Sequence, residues 1–167
     1  YKNVDIVLEN SSSYGDGKYG FKTISSMSDV SYAIKELNEF IPGRIESLID
    51  TCHILIGWEL WKRILRNSVN ISDWDEEFKK ATQHSSIGLI HLNNIRDNGR
   101  GKNHGRAFDY HEESDVIELK AIMQAYEKYA NCDITIEVRE DNYNEKPNNL
   151  IITKNCLEKL GYNVIIG

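Results

Sequence analysis

Four short apolar runs in this chain each lead into a residue that can bind a metal ion, and these strand ends recur at nearly constant spacing. Val4-Asp5-Ile6-Val7-Leu8 leads into Glu9, Ile45 to Ile49 into Asp50, Ile87-Gly88-Leu89-Ile90 into His91, and Ile134-Thr135-Ile136 into Glu137. The steps are 41, 41 and 46 residues, each enough for one strand–helix unit of roughly 30 or more residues. Helical patterns fill the gaps. Ser28 to Phe40 carries Val30, Ala33, Ile34 and Leu37 at helical spacing, with Ser28 as its cap and Pro42-Gly43 as its stop. Trp58 to Leu65 and Asp73 to Thr82 give two further helical pieces, Asp115 to Tyr129 another, and Ile151 to Leu160 the last. A Gly- and Ser-rich loop over Ser11 to Gly20 and a long polar loop from Asn93 to about Ser114 join them. Strands alternating with helices predict an α/β fold with a parallel sheet.

In such folds the functional face lies at the C-terminal ends of the strands. Glu, Asp, His and Glu delivered there in one phase predict a common mouth. Convergence of all four ends favours a barrel over an open doubly wound sheet. A complete (β/α)8 barrel takes about 250 residues, and the 167 residues here supply four units. The fold expected is therefore four consecutive βα units, the second half of a (β/α)8 TIM barrel, with residues 1–167 as one partial domain. The other four units are expected outside this sequence or on a second chain. The opening Tyr1, with no signal-peptide pattern after it, fits a processed chain or a piece of a longer one. Half a barrel leaves two sheet edges and an apolar face uncovered, so the isolated chain is not expected to be a stable monomer.

Composition narrows the function classes. A hydrophobic share of 40%, 28% charged residues and only 2 Pro exclude a disordered or collagen-like chain. No apolar run approaches the roughly 20 residues that span a bilayer, so no membrane partner is expected. Lys+Arg 20 against Asp+Glu 26 gives a net charge of −6, which excludes a generic basic-patch nucleic-acid binder. A count of formal charge omits bound metals, however, and one loop runs against the average. Arg96, Arg100, Lys102 and Arg106 face a single Asp97 between Asn94 and Arg106, a local basic patch suited to phosphate. Cys52, Cys132 and Cys156 are odd in number and irregular in spacing, which fits reduced thiols of an intracellular protein, cytoplasmic or nuclear.

The candidate ligands are Glu9, Asp50, His53, His91, His104 and Glu137. Asp50 and His53 lie three apart just beyond a strand and can face one pocket; capping by Asp50 beside a surface His is the other possibility. His104 sits inside the basic loop and can return to the mouth. Mixed carboxylate and imidazole donors suit Zn2+, and also Mn2+ or Fe2+. Cys52 reads as a small buried residue, and Trp58 and Trp61 as packing residues.

Val7-Leu8-Glu9-Asn10 followed by a Gly-rich loop, Ile49-Asp50-Thr51-Cys52-His53, Ile90-His91-Leu92-Asn93 and Ile136-Glu137 together resemble the second half of an endonuclease-IV-type AP endonuclease, a member of the xylose-isomerase-like barrel superfamily. The resemblance runs over nearly the whole chain but covers about half of that family's barrel. It implies a three-zinc enzyme that hydrolyses the phosphodiester 5′ of an abasic site in double-stranded DNA, a base-excision repair step. It also implies that Glu9 bridges two metals, that Asp50, His91 and Glu137 complete one of them, and that His53 and His104 bind the third. Attack comes from a metal-activated water, and no protein nucleophile is implied. Arg96, Arg100, Lys102 and Arg106 become the DNA contacts. The chain departs from the family where an Asp two residues before the loop His is replaced by Lys102, and where an often acidic position is Asn94. The third metal is therefore expected to be weak or missing. Sugar isomerases and epimerases of the same superfamily share the Glu9, Asp50, His91, Glu137 set with one divalent ion and are the alternative. A metal-free binding or scaffold protein on this fold is a third class.

Overall fold

The structure, a computed structural model, describes residues 6–11, 26–43, 45–64, 73–97, 102–140 and 148–165, excepting the side chains of residues 60–64, 96, 97 and 102–104. The elements in order are β1 (Ile6–Glu9), α1 (Met27–Asn38), β2 (Ile45–Asp50), α2 (Thr51–Ile64), α3 (Trp74–Ala81), β3 (Ile87–Leu92), β4 (Asn94–Asp97), β5 (Lys102–Arg106), α4 (Glu113–Tyr129), β6 (Asp133–Ile136) and α5 (Asn149–Lys159). The fold is α/β. β1, β2, β3 and β6 form one parallel sheet in that order. Glu9 lies opposite Leu48, Asp50 opposite His91 and Leu92 opposite Ile136. Because neighbouring strands run parallel and in register, their C-terminal residues collect along one edge of the sheet.

Alternation decides what each strand offers to each side. On β3, Ile90 and Leu92 are fully buried while His91 is half-buried. On β6, Ile134 and Ile136 pack against the core while Asp133 and Thr135 are exposed. β2 runs through the middle and is buried on both faces, with Ile49 wholly enclosed and Leu48 and Asp50 nearly so. The core joins these residues to Val30 and Ile34 of α1, Trp74 and Phe78 of α3, and Leu119 and Ile122 of α4. Trp58 meets Trp74 edge-on at 4.7 Å between ring centroids, a packing role.

Helix starts follow local chemistry. α1 opens on Ser26, not Ser28: the Ser26 hydroxyl accepts from Asp29 N–H (3.1 Å) while Asp29 accepts from Ser26 N–H, a reciprocal box. α2 begins seven residues before the predicted Trp58, because Asp50 at the end of β2 already caps it by accepting from His53 N–H at 2.9 Å. A third correction concerns the segment from Asn93 to Ser114, expected as a loop. It contains an antiparallel hairpin, β4 with β5, pairing Asn94 with Arg106 and Ile95 with His104. The Ser11–Gly20 loop lies, beyond Ser11, outside the described residues.

α5 lacks a local side-chain cap. Glu140, eight to ten residues earlier, supplies one: its carboxylate accepts from the N–H groups of Asn148 (2.9 Å), Asn149 (3.0 Å) and Leu150 (2.9 Å). Partial burial pushes its carboxyl up, but the three N–H donors outweigh that and hold it below the usual carboxylate range. The folded protein thus binds this proton less tightly than the unfolded chain does. The cap's contribution is present above the ordinary Glu pKa and is lost as pH falls through the depressed folded value. Glu140→Gln should cost about 0.5–1 kcal/mol at neutral pH, the scale for a solvent-screened charge at a helix N-terminus. Urea titrations of both proteins should converge at acid pH; a gap that persists below pH 3 would contradict this account.

Candidate metal centre

The strand ends bring a carboxylate–imidazole cluster together. Glu9 ends β1, Asp50 ends β2, and His91 is the fifth residue of β3; each offers one ligand atom within 4.8 Å of the others. Glu137 follows β6 directly. Its N–H donates to Leu92 O at 3.0 Å, and its Oε2 lies 3.1 Å from His91 Nδ1. His53, in the first turn of α2, places Nδ1 3.5 Å from Glu9 Oε1 and 3.7 Å from Asp50 Oδ2. Three of the six expected ligands, Glu9, Asp50 and His91, are therefore gathered in one group, with Glu137 beside His91 and His53 beside Glu9 and Asp50. The side chain of His104 lies outside the described residues; its backbone belongs to β5, opposite Ile95.

Three residues that the sequence pattern does not mark hold this cluster in place. Asn10 is fully buried, accepts from Asp50 N–H through Oδ1 (2.8 Å) and donates through Nδ2 to Asp50 O (3.2 Å). It thereby extends the β1–β2 ladder with a side chain. Its own carbonyl receives His53 Nδ1 at 2.7 Å. A carbonyl only accepts, so His53 Nδ1 is the donor in this contact. Asn93 donates from Nδ2 to Asp50 Oδ2 at 3.3 Å. Thr51 accepts from Asn93 N–H (3.0 Å) and donates to Asn93 O (2.7 Å), locking the start of α2 to the end of β3. Only the VLEN, IDTCH and HLNN contexts hinted at these roles, since a buried Asn looks like any loop Asn in one sequence.

Electrostatics favour a cation at this point. Burial first, then the Asp50 carboxylate, push the Glu9 carboxyl above its ordinary value; His53 and His91 pull it back and Glu137 raises it further. Asp50 is 1% exposed and turns one carboxylate oxygen to its helix cap and the other to Asn93. The donor set of carboxylates with imidazole fits a divalent ion. Cys52 lies beside the cluster, but its thiol is fully buried, and burial, then Asp50 and Glu137, push it far above its usual pKa. It stays a protonated packing group.

The basic hairpin divides. Arg106 donates through Nε to Ile95 O at 3.0 Å and pairs through Nη2 with Asp115, which is 2% exposed. Asp115 also accepts from Asn94 Nδ2 (3.1 Å) and Asp109 N–H (3.0 Å). Arg106, expected on DNA, therefore ties the hairpin to α4, and the position that resembles an acidic family residue, Asn94, serves the same knot. The side chains of Arg96 and Lys102, and all of Arg100, lie outside the described residues.

Comparisons with family models, with curated proteins and with solved structures found no match for this chain.

Asn10→Ala removes both amide bonds to the Asp50 backbone and should cost about 2–3 kcal/mol by urea unfolding; a loss below about 0.5 kcal/mol would mean the bridge does not hold the strand ends. Glu9→Gln should weaken Mn2+ or Zn2+ binding at least about tenfold, in keeping with loss of one charged ligand, when read by calorimetry. The metal-free variant should melt no lower than the parent at pH 7. A raised carboxyl favours the folded state only in its protonated form, so that benefit is present in acid and lost as pH rises through the raised value. A metal-free Glu9→Gln protein that melts lower than the parent at pH 7 would refute the charge crowding.

Proposed function

We propose that this chain forms part of a divalent-metal phosphodiesterase that cuts double-stranded DNA on the 5′ side of abasic sites, on a (β/α)8 barrel of which it supplies four units. The carrying observation is the gathering of Glu9, Asp50 and His91 ligand atoms within 4.8 Å, with Glu137 and His53 beside them at the same ends of parallel strands. Glu9, Asp50, His91 and Glu137 would hold one ion and His53 would serve a neighbouring one, with Zn2+ the first choice. Such ions, when bound, supply Lewis acidity toward phosphoryl oxygen and lower the pKa of water.

The chain's own residues perform the positioning. Asn10 fixes the Asp50 backbone and Asn93 its carboxylate, and the Asn10 carbonyl holds the His53 ring through Nδ1. β1 and β6 are the edges of the four-stranded sheet, where further units of a barrel would pair; a cavity of ≈ 530 Å³, lined in part by Met123, Tyr126, Ile134, Leu157 and Val164, lies beside β6. No helix of the described residues is long and apolar enough to cross a membrane.

The same four-ligand set suits a sugar isomerase or epimerase, and the engagement of Arg106 with Asp115 favours that reading by removing one phosphate contact. The two separate in one assay. The protein loaded with Zn2+ or Mn2+ is offered an abasic duplex and a panel of ketoses. Incision at the abasic site should appear, vanish with chelator, and fall at least about 100-fold in Glu137→Gln, the scale of a lost metal contribution of a few kcal/mol. Isomerisation without strand cleavage would transfer the assignment.

A further inference from the structure

Arg139 stands two residues beyond Glu137, and three features set it apart from an ordinary surface arginine. Its backbone is clamped from both sides: Arg139 N–H donates to Gly105 O at 2.8 Å, and Asn149 Nδ2 donates to Arg139 O at 2.6 Å. Gly105 makes the first clamp possible. Its φ is +102°, and a Cβ there would come within 2.8 Å of Arg139 Cβ and 3.0 Å of Arg139 N. Second, alternation puts Arg139 on the face of Glu137. The N–H groups of residues 137 and 139 both point to neighbouring backbone, Leu92 O and Gly105 O, as in an extended strand, where every second side chain shares a side. Glu137 turns its carboxylate to His91 on that side, and the Arg139 backbone lies roughly 6–7 Å further along.

Third, no carboxylate among the described residues pairs with the side chain. Glu137 is engaged with His91. Glu140 spends both oxygens on the N–H groups of α5. Among the described residues no acid lies within ion-pair distance of the Arg139 guanidinium, and the residue is exposed. An exposed arginine whose backbone is clamped, two residues along from Glu137, can offer two parallel donors to a phosphate whose other oxygens meet a bound cation.

We infer that Arg139 is a phosphate-binding arm of this site. The inference rests on the metal-centre reading and names the anion that centre receives. A DNA backbone and a free sugar phosphate both carry that chemistry. They separate by which probe depends on Arg139.

The experiment compares the parent with Arg139→Gln and Arg139→Lys. Calorimetry first reads Mn2+ binding. The Mn2+-loaded proteins are then titrated with inorganic phosphate, an abasic duplex, a ketose phosphate and the same ketose without phosphate. Arg139→Gln should bind Mn2+ within twofold of the parent and inorganic phosphate at least tenfold more weakly, with Arg139→Lys recovering part of the loss because it restores charge without the fork. A matching loss for the duplex identifies backbone phosphate as the ligand, and one for the ketose phosphate identifies a sugar phosphate; the unphosphorylated ketose should bind all three proteins alike. Equal phosphate affinity in parent and Arg139→Gln, with Mn2+ still bound, would overturn the inference and leave the metal centre standing. A parent that binds no Mn2+ would remove the metal centre and this inference with it.

Discussion

The Asp50 carboxylate is the joint on which the sheet edge depends. One oxygen accepts the N–H of His53 and so starts α2; the other accepts from Asn93 beyond β3. The Asp50 backbone is meanwhile stapled to Asn10 beyond β1. Three strand ends and one helix start are thereby fixed by a residue 1% exposed to solvent. A carboxyl group at that depth needs its polar atoms satisfied. The two donors supply part of that satisfaction, and the Glu9 carboxylate works against it, as the upward push on Glu9 shows. A divalent ion would reverse the local balance, since its own charge is larger than any other in the site. The arrangement thus has the features of a scaffold built around a positive centre: neutral amides fix the geometry, and the carboxylates are left close together.

Neutral amides suit that task for a physical reason. Asn10 and Asn93 each donate and accept, so they can pin a carboxylate without adding to its charge. A lysine or arginine in either place would satisfy Asp50 as an ion pair and compete with a metal for it. Arg139 is held at a distance from this competition. It lies two residues along from Glu137, with its backbone clamped and its neighbouring acid Glu140 turned to α5. Cation and carboxylates are kept apart along one extended segment, which leaves each able to meet a ligand.

What the sequence made legible followed from period and phase. Apolar runs at a common step, each leading into Glu, Asp or His, located β1, β2, β3 and β6 and the edge where their ends collect, because parallel β/α units carry that regularity into one-dimensional spacing. Helix starts were legible only where one cap was available. Ser26 and Ser28 are two residues apart, and Asp29 three residues after Ser26 decided between them. The start of α2 was hidden because its cap, Asp50, had been counted as a strand end; one side chain performs both tasks. Asn10, Asn93 and Thr51 stand in the quoted motifs, but their bracing roles are not legible in sequence because burial of a polar residue is a tertiary fact. The barrel, its other half, and the identity of metal and substrate rest on resemblance and chemistry, not on spacing.

The hairpin β4–β5 shows why the polar segment after His91 defeated pattern reading. Asn94-Ile95-Arg96-Asp97 and Lys102-Asn103-His104-Gly105-Arg106 have no apolar alternation, so nothing in them announces a strand. The hairpin is stabilised from outside. Asp115 at the start of α4 collects Arg106 and Asn94 at its base, and Gly105 joins its returning strand to Arg139. That backbone bond ties the polar hairpin to the segment that follows β6. A side chain at Gly105 would collide with Arg139, and separating the two would release both the hairpin and the arm. The basic character that the segment shows in sequence is thus only partly available to a ligand. Arg106 is consumed in building the hairpin, while the side chains of Arg96, Arg100 and Lys102 lie outside the described residues.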